Sequence, residues 1–274
     1  MYFNELMLRD MDPFFVALGR VGPAALASWA FVLLTGRNWR IGRDQIAALA
    51  ILGALFFWLP MAAFPIGQQY IESGLAGVIN AMTPVFTVII SHFWPDGERA
   101  TKLKFLGVLT GFAGIFLLAL PSLGAGEETR IFGIFIALLG PMGFAFGLNW
   151  VRRIKGLDTV TMTTWAFTFA AIFLLVTAVS FEDIPSTVRP STWAAVAFSG
   201  IILTGLLFQI GFAVLPHAGT TKTSTLTFIA PITALFLGSL LLNERLQLPH
   251  FFGMTMIFIG LFLIDGKLFA RRGR

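Results

Sequence analysis

Long apolar segments separated by short polar loops make up most of this chain. Nine of the segments are long enough to cross a bilayer as a helix, since the ~30 Å hydrocarbon layer takes about 20 helical residues. They cover residues 13–35, 45–66, 74–94, 103–121, 131–151, 159–180, 191–214, 223–242 and 250–268. Their apolar positions are continuous and do not alternate, so the pattern predicts spanning helices and an all-α membrane protein.

Landmark residues of the first half recur at a nearly constant distance in the second half. Pro84 and Pro231 are 147 residues apart, and so are Gly53 and Gly200. A separation of 146 residues relates three more pairs, Glu98 with Glu244, Gly107 with Gly253, and Gly114 with Gly260. We call this separation of 146 or 147 residues the repeat shift. Its constancy across several residue types predicts two copies of one unit, at residues 1–121 and 131–268.

The first copy is predicted to begin with an incomplete helix. Residues 131–153 of the second copy, moved back by the repeat shift, would start ahead of Met1, and residues 1–8 are the remnant of that helix. The remnant and nine spans make ten helices, five in each copy. Because five is odd, the second copy enters the membrane from the opposite side, which predicts a 5+5 bundle of inverted repeats.

The basic residues of the loops predict the orientation of this bundle. When the loops are assigned alternately to two sides, most Lys and Arg residues fall on one side, together with the C-terminus. That side is expected to be cytoplasmic, in a bacterial inner membrane. The net charge of +5 arises from these short loops, so we expect membrane lipids and no nucleic acid as partners.

Composition and missing motifs exclude several kinds of chemistry. The chain has no cysteine, which excludes disulfides and thiolate metal sites. It has no G-x-x-x-x-G-K-[ST] phosphate loop, and its three histidines lie near span ends without the H-E-x-x-H spacing of zinc enzymes. We therefore expect no catalytic residues, no metal and no cofactor, and the chain is not predicted to be an enzyme.

Polar residues inside the span at 74–94 are the first candidates for a binding site. Asn80, Thr83 and Pro84 lie near its middle. Proline has no backbone N–H and leaves a carbonyl of the preceding turn without its usual donor. Thr227 and Pro231 take the matching places in the second copy.

Four further neutral side chains lie in other predicted spans, namely Asn149, Thr204, Gln209 and Thr223. For any single polar residue, a hydrogen bond that ties two helices together is an equal alternative to a role in binding. Taken as a set, these residues predict a shared cavity that binds a small molecule.

Two tryptophans and two charged residues complete the candidate set. Trp58 and Trp165 lie deeper in their spans than interfacial tryptophans do, and they are candidates for an apolar wall around a solute. Arg20 and Glu5 are candidates for a charged gate or a coupling group, because charges within a bilayer are costly and often functional. For Arg20 the alternative is an interfacial anchor or a pair with Asp10 or Asp12 in the nearby loop.

Two motifs give the chain a resemblance to a known family. One runs from G-L-A-G through T-P to G-E-R at residues 74–99, and the other has A-P and N-E-R-L at residues 230–246. Each precedes a glycine-spaced helix. In these features the chain resembles the drug/metabolite transporter superfamily, EamA type.

The resemblance implies ten helices around a central cavity, with alternating access of two inverted units to a site between them. It places Asn80, Thr83, Pro84, Trp58, Gln209 and Thr227 on cavity-lining helices. The chain is thus expected to be a monomeric secondary transporter that exports a small metabolite, such as an amino acid or a drug-like amphipathic compound. A passive channel or facilitator, and a membrane enzyme or lipid-handling protein, are the alternatives.

Overall fold

Helices account for most of the computed structural model, which describes residues 1–95, 97–119, 128–218 and 248–265. Six helical stretches among these residues are long and apolar enough to cross a membrane. The α-helices are α1 Tyr2–Met7, α2 Pro13–Leu34, α3 Arg43–Leu52, α4 Leu59–Gly67, α5 Ser73–Asn80, α6 Thr83–Phe93, α7 Lys102–Ala119, α8 Glu128–Trp150, α9 Thr159–Phe181, α10 Pro190–Ala197, α11 Leu207–Ala218 and α12 Leu248–Asp265.

The observed helices confirm the all-α class, and six of the nine predicted spans are apolar helices of membrane-spanning length among the described residues. The span predicted at 223–242 lies outside the described residues, so the total of ten helices and the 5+5 arrangement stay predictions. Thr223, Thr227 and Pro231 lie outside the described residues for the same reason.

Two spans contain a π-helical segment at matching places in the two halves. Segment π1, Gly53–Trp58, joins α3 to α4, and segment π2, Phe198–Leu206, joins α10 to α11. The repeat shift that takes Gly53 to Gly200 places the start of π1 inside π2. A π-helical turn widens the helix and is frequent at functional sites, so both segments are places where side chains can be redirected.

Helices α2 and α9 pack side by side in opposite directions. At one end, the two carboxylate oxygens of Glu182, just after α9, accept hydrogen bonds from the backbone N–H groups of Phe14 (2.8 Å) and Phe15 (3.0 Å) at the start of α2. At the other end, Arg37 after α2 pairs with Asp158 before α9 at 3.3 Å. The start of each helix thus meets the end of the other, so the two are antiparallel.

Close backbone contacts at glycines hold α7 against α12. A Cβ atom on Gly107 would lie 2.5 Å from the carbonyl oxygen of Gly260, and one on Gly114 would lie 2.6 Å from that of Gly253. The contacts run in opposite order along the two helices, which are therefore antiparallel as well. A side chain at either position would force the helices apart.

A reciprocal contact of the same kind joins π1 to α9 and π2 to α2. A Cβ atom on Gly53 would lie 2.6 Å from the carbonyl oxygen of Ala166, and one on Gly200 would lie 3.1 Å from that of Gly19. The repeat shift that relates Gly53 to Gly200 also relates Gly19 to Ala166. Each contact is therefore the counterpart of the other, as in an interface with two-fold symmetry.

Asp10 ties the α1–α2 loop to the start of α10. Its carboxylate accepts hydrogen bonds from Arg189 through Nε at 2.8 Å and the backbone N–H at 3.1 Å, and from the hydroxyl of Thr192. The side-chain hydrogen bond from Arg189, followed by that from Thr192, lowers the pKa of Asp10 from 3.8 to about 2. The carboxylate is therefore strongly held in its ionised form.

We predict that Gly107→Ala lowers the stability of the folded protein by roughly 1–3 kcal/mol, because overpacking a close contact forces backbone shifts of this cost. The measurement is the thermal melting temperature of the purified protein in detergent. Gly211→Ala in α11 is the matched control, since a Cβ there meets nothing within 4 Å among the described residues. Equal melting temperatures for the two variants would contradict the packing argument.

We predict that Asp10→Asn lowers the melting temperature at pH 7 and that its difference from the native protein shrinks in acid. Because folding depresses the pKa of Asp10 to about 2, its contribution is complete above pH ~3.8 and is lost as the pH falls toward 2. Asp183→Asn, at an exposed acid in the α9–α10 loop, removes the same charge and is the control. A difference that does not change between pH 7 and pH 3 would contradict this prediction.

Candidate functional site

Three polar side chains from three other parts of the fold lie around Arg20. Its guanidinium donates to Oδ1 of Asn4 in α1 at 3.1 Å and to Oγ1 of Thr204 in π2 at 3.3 Å. Nδ2 of Asn4 in turn donates to Oε1 of Gln68, at the end of α4, at 2.9 Å. We call Asn4, Arg20, Gln68 and Thr204 the Arg20 cluster.

The local structure of α2 and π2 places this cluster within the apolar bundle. Arg20 follows the first residue of α2 by seven positions, which is about 10 Å along the helix axis. Pro23 lacks the N–H that would bond the carbonyl of Gly19 one turn earlier. Gly200 of π2 packs on this turn, and a Cβ there would lie 2.9 Å from Cβ of Pro23. The proline and the glycine together let π2 approach α2 at the level of Arg20.

The positive charge of Arg20 is held by neutral partners. Its hydrogen-bond acceptors are an amide and a hydroxyl, and no carboxylate of the described residues pairs with it. Its Nε atom is buried and has no hydrogen-bond partner among those residues. Asp10 pairs instead with Arg189, so the proposed Arg20–Asp10 pair is wrong. The cluster thus contains a cation with unused donor capacity.

The polar contacts continue from the cluster along the interface between α2 and α11. Ala24, one turn after Arg20, lies against Gly205 of π2. One turn further, Oγ of Ser28 accepts a hydrogen bond of 2.8 Å from Nε2 of Gln209. Residues four apart share a helix face, so α2 presents a charged, a small and a polar residue in sequence to its neighbour. The structure thereby brings the candidates Arg20 and Gln209 to one interface.

The candidates Asn80, Thr83 and Pro84 form a break between α5 and α6. The hydroxyl of Thr83 donates to the carbonyl oxygen of Asn80 at 2.8 Å. That carbonyl lies four residues before Pro84 and would otherwise lack a donor. The side-chain Oδ1 of Asn80 is buried without a partner among the described residues, as is Nε1 of Trp58 in π1. Asn80 and Trp58 therefore each have one buried polar atom that no described residue satisfies.

Asn149 and Trp165 use their polar atoms in contacts within the fold. Asn149 is fully buried, and its Oδ1 accepts a 2.7 Å hydrogen bond from Ser91 of α6. Nε1 of Trp165 donates to the carbonyl oxygen of Trp39 at 2.9 Å, and its ring packs edge-on against Trp29 with centroids 5.2 Å apart. These contacts tie α6 to α8 and α2 to α9.

Sequence reasoning missed three residues that make polar contacts at the site. Asn4 belongs to the short first segment that was too short to count as a span, and Gln68 lies just past the end of one. Ser28 was overlooked because small residues in an apolar span also serve close packing. The charged candidate Glu5, which follows Asn4, is half-buried in α1.

A phenylalanine cluster fills the bundle between π1, α8, α9 and α11. Phe57 and Phe167 are both fully buried, with ring centroids 4.2 Å apart. The other members of the cluster are Phe56, Phe144, Phe208 and Phe212. Contacts of this kind stabilise the interior through burial and edge-to-face geometry, and they leave this region apolar.

A separate crevice of about 360 Å³ lies between α6 and α7. Apart from Lys102, His92 and Thr101, its lining is apolar. Nδ1 of His92 accepts a 3.0 Å hydrogen bond from the backbone N–H of Ala100. The crevice therefore offers few polar groups to a polar solute.

Comparison with known proteins gives one family and several relatives. The model of the EamA-like transporter family matches residues 1–120 and again residues 131–265. Uncharacterized transporter YoaV of Bacillus subtilis is 24% identical over 97% of this chain and 91% of its own length. Protein PecM of Dickeya dadantii is 25% identical, with coverage of 99% and 90%.

A further relative and a solved structure also resemble this chain. Uncharacterized inner membrane transporter YedA of Escherichia coli K12 is 25% identical over 94% of this chain and 83% of its own length. A protein solved by crystallography has a TM-score of 0.72 at 20% identity, covering 98% of this chain and 92% of that one, and this likeness shows the fold. With two matches of the family model that together span most of its length, the chain belongs to the EamA-like transporter family.

Proposed function

We propose that this protein is a secondary transporter that moves a small metabolite across the membrane by alternating access between two inverted halves. Membership of a transporter family supports transport at the coarse level. The reciprocal glycine contacts are the main support for two inverted halves, because they join equivalent helices of those halves.

Antiparallel packing supports the inversion. Equivalent helices of two halves related by an axis along the membrane normal would run parallel, whereas an axis in the membrane plane makes them antiparallel. The repeat shift makes α2 equivalent to α9, and α7 equivalent to α12. Both pairs are antiparallel in the contacts described above.

The polar interface between α2 and α11 is the best candidate for the solute path. It contains the Arg20 cluster and the Ser28–Gln209 pair, in a part of the fold where a proline and a π-helix interrupt regular helix. Transporter sites are typically formed where helices are interrupted near the repeat interface. Asn80 and Trp58, with one unpartnered polar atom each, are further proposed contacts.

The orientation and assembly are part of the same proposal. We propose an inner-membrane location with the C-terminus in the cytoplasm, supported by the excess of Lys and Arg in the loops of that side. YedA is named an inner membrane transporter, which agrees with this location. We propose a monomer, with export as the direction.

We predict saturable counterflow in proteoliposomes, tested with a panel of labelled amino acids and small organic acids. Gln209→Leu is expected to reduce the initial rate about tenfold, because it removes the hydrogen-bonding group that faces Ser28, and an interaction worth ~1.4 kcal/mol corresponds to a factor of ten. Gln69→Leu, an exposed residue next to α4, is the matched control. Non-saturating flux would favour a channel, and normal counterflow by the Gln209 variant would remove it from the path.

We predict that single cysteines at two equivalent loops react from opposite sides of the membrane. Arg40 and Thr187 are exposed residues related by the repeat shift, after α2 and α9 respectively. The chain contains no native cysteine, so Arg40→Cys and Thr187→Cys each introduce one reactive thiol.

In intact cells, a membrane-impermeant maleimide is expected to label the Thr187 variant, and the Arg40 variant is expected to react only after permeabilisation. Labelling of both variants from the same side would contradict the inverted halves.

A further inference from the structure

We propose that the Arg20 cluster binds the carboxylate group of the transported solute, so that the substrate is a small carboxylate-bearing metabolite. The inference rests on the proposed transport function and adds a substrate class to it. It is drawn from the charge, the hydrogen bonds and the repeat partner of Arg20.

The first argument is the uncompensated charge. Arg20 lies inside a membrane-spanning helix, its acceptors are the neutral side chains of Asn4 and Thr204, and no carboxylate among the described residues neutralises it. A cation in such a place is costly unless it pairs with an anion. A carboxylate of the solute supplies the missing negative charge.

The second argument is the equivalent position in the other half of the molecule, which is apolar. The repeat shift that relates Gly53 to Gly200 also relates Phe57 to Thr204 and Arg20 to Phe167. Phe57 and Phe167 are in ring contact at 4.2 Å, whereas Thr204 and Arg20 share a hydrogen bond. The equivalent contact between π-segment and long helix thus forms without any charge, so packing alone does not account for the arginine.

The third argument is the donor geometry. A guanidinium presents five N–H groups in a plane and binds the two oxygens of a carboxylate with parallel hydrogen bonds. The bonds to Asn4 and Thr204 use two of these groups, and Nε remains buried without a partner among the described residues. The hydroxyl of Ser199, in the same π-segment as Thr204, is likewise buried without a partner there.

The residues next to the Arg20 cluster indicate which side chains the rest of the solute would contact. Beyond Arg20 the interface continues with the small residues Ala24 and Gly205 and then with the Ser28–Gln209 pair. The side chains that follow the cation are therefore small or neutral. A solute with one carboxylate and a neutral body fits this order of groups.

The test is the binding of matched acid and amide pairs to purified protein, measured by calorimetry and by thermal shift. The probes are phenylacetate with phenylacetamide, and butyrate with butyramide, because each pair differs only in the carboxylate. We expect at least one acid to bind the native protein about tenfold more tightly than its amide, and this preference to be lost in Arg20→Gln. Arg43→Gln, at an exposed arginine that begins α3, is the control and is expected to keep the preference.

A double variant separates binding from folding. R20F together with T204F installs the aromatic pair that the other half already uses at this position, so it is expected to fold and elute as the native protein does. It is expected to bind acid and amide equally weakly. Retention of the acid preference in this variant, or equal binding of acids and amides by the native protein, would overturn the proposal.

Failure of the carboxylate proposal can be distinguished from failure of the transport function, because ligand binding is measured separately from solute flux. Acid-selective binding with no counterflow of any solute would leave the carboxylate site standing and remove the transporter. Saturable counterflow of solutes that lack an anionic group, with no acid preference in binding, would keep the transporter and remove the carboxylate site.

Discussion

The architecture depends on close backbone contact at a few glycines where helices of the two halves meet. Lipid offers no hydrophobic gain for bringing apolar helices together, so association must come from tight packing and from polar contacts. Gly107 against Gly260, and Gly53 against Ala166, let carbonyl oxygens approach to distances that a side chain would prevent. Each contact recurs with the roles of the two halves exchanged, so equivalent residues fix the packing at two places.

Polar side chains lie within the apolar bundle at places where the helices are irregular. A regular helix satisfies its own backbone and presents its side chains to lipid or to neighbours. Pro23 frees the carbonyl of Gly19, and Gly200 and Thr204 of π2 lie against this part of α2, so Arg20 has partners inside the bundle. The break at Pro84 acts similarly, since the hydroxyl of Thr83 replaces the lost backbone donor. Helix interruption and polar contact are therefore consequences of the same local sequence.

Hydropathy predicted the six membrane-length helices closely because burial in lipid acts on every residue of a helix. Side-chain contacts were less accessible to sequence reasoning. Asn149 was a cavity candidate, yet its amide is held by Ser91, a partner that depends on how α6 and α8 rotate about their axes. Asn4 was missed because its segment is too short to count as a span, and Gln68 because it lies just past the end of one, although both join the Arg20 cluster.

The two halves share the same glycine contacts but differ in charge at one pair of equivalent positions. If both halves carried arginine there, two cations would face a low-dielectric interior and repel each other. If both carried phenylalanine, this position would be apolar in both halves and would offer no charge to a solute. With Arg20 and Thr204 at one position, and Phe57 and Phe167 at its equivalent, inverted packing can be kept while a single site has the charge. In the transport cycle that we propose, a symmetric frame would move between two open states around an asymmetric site, because the motion would depend on the shared glycine contacts and the binding on the residues that differ.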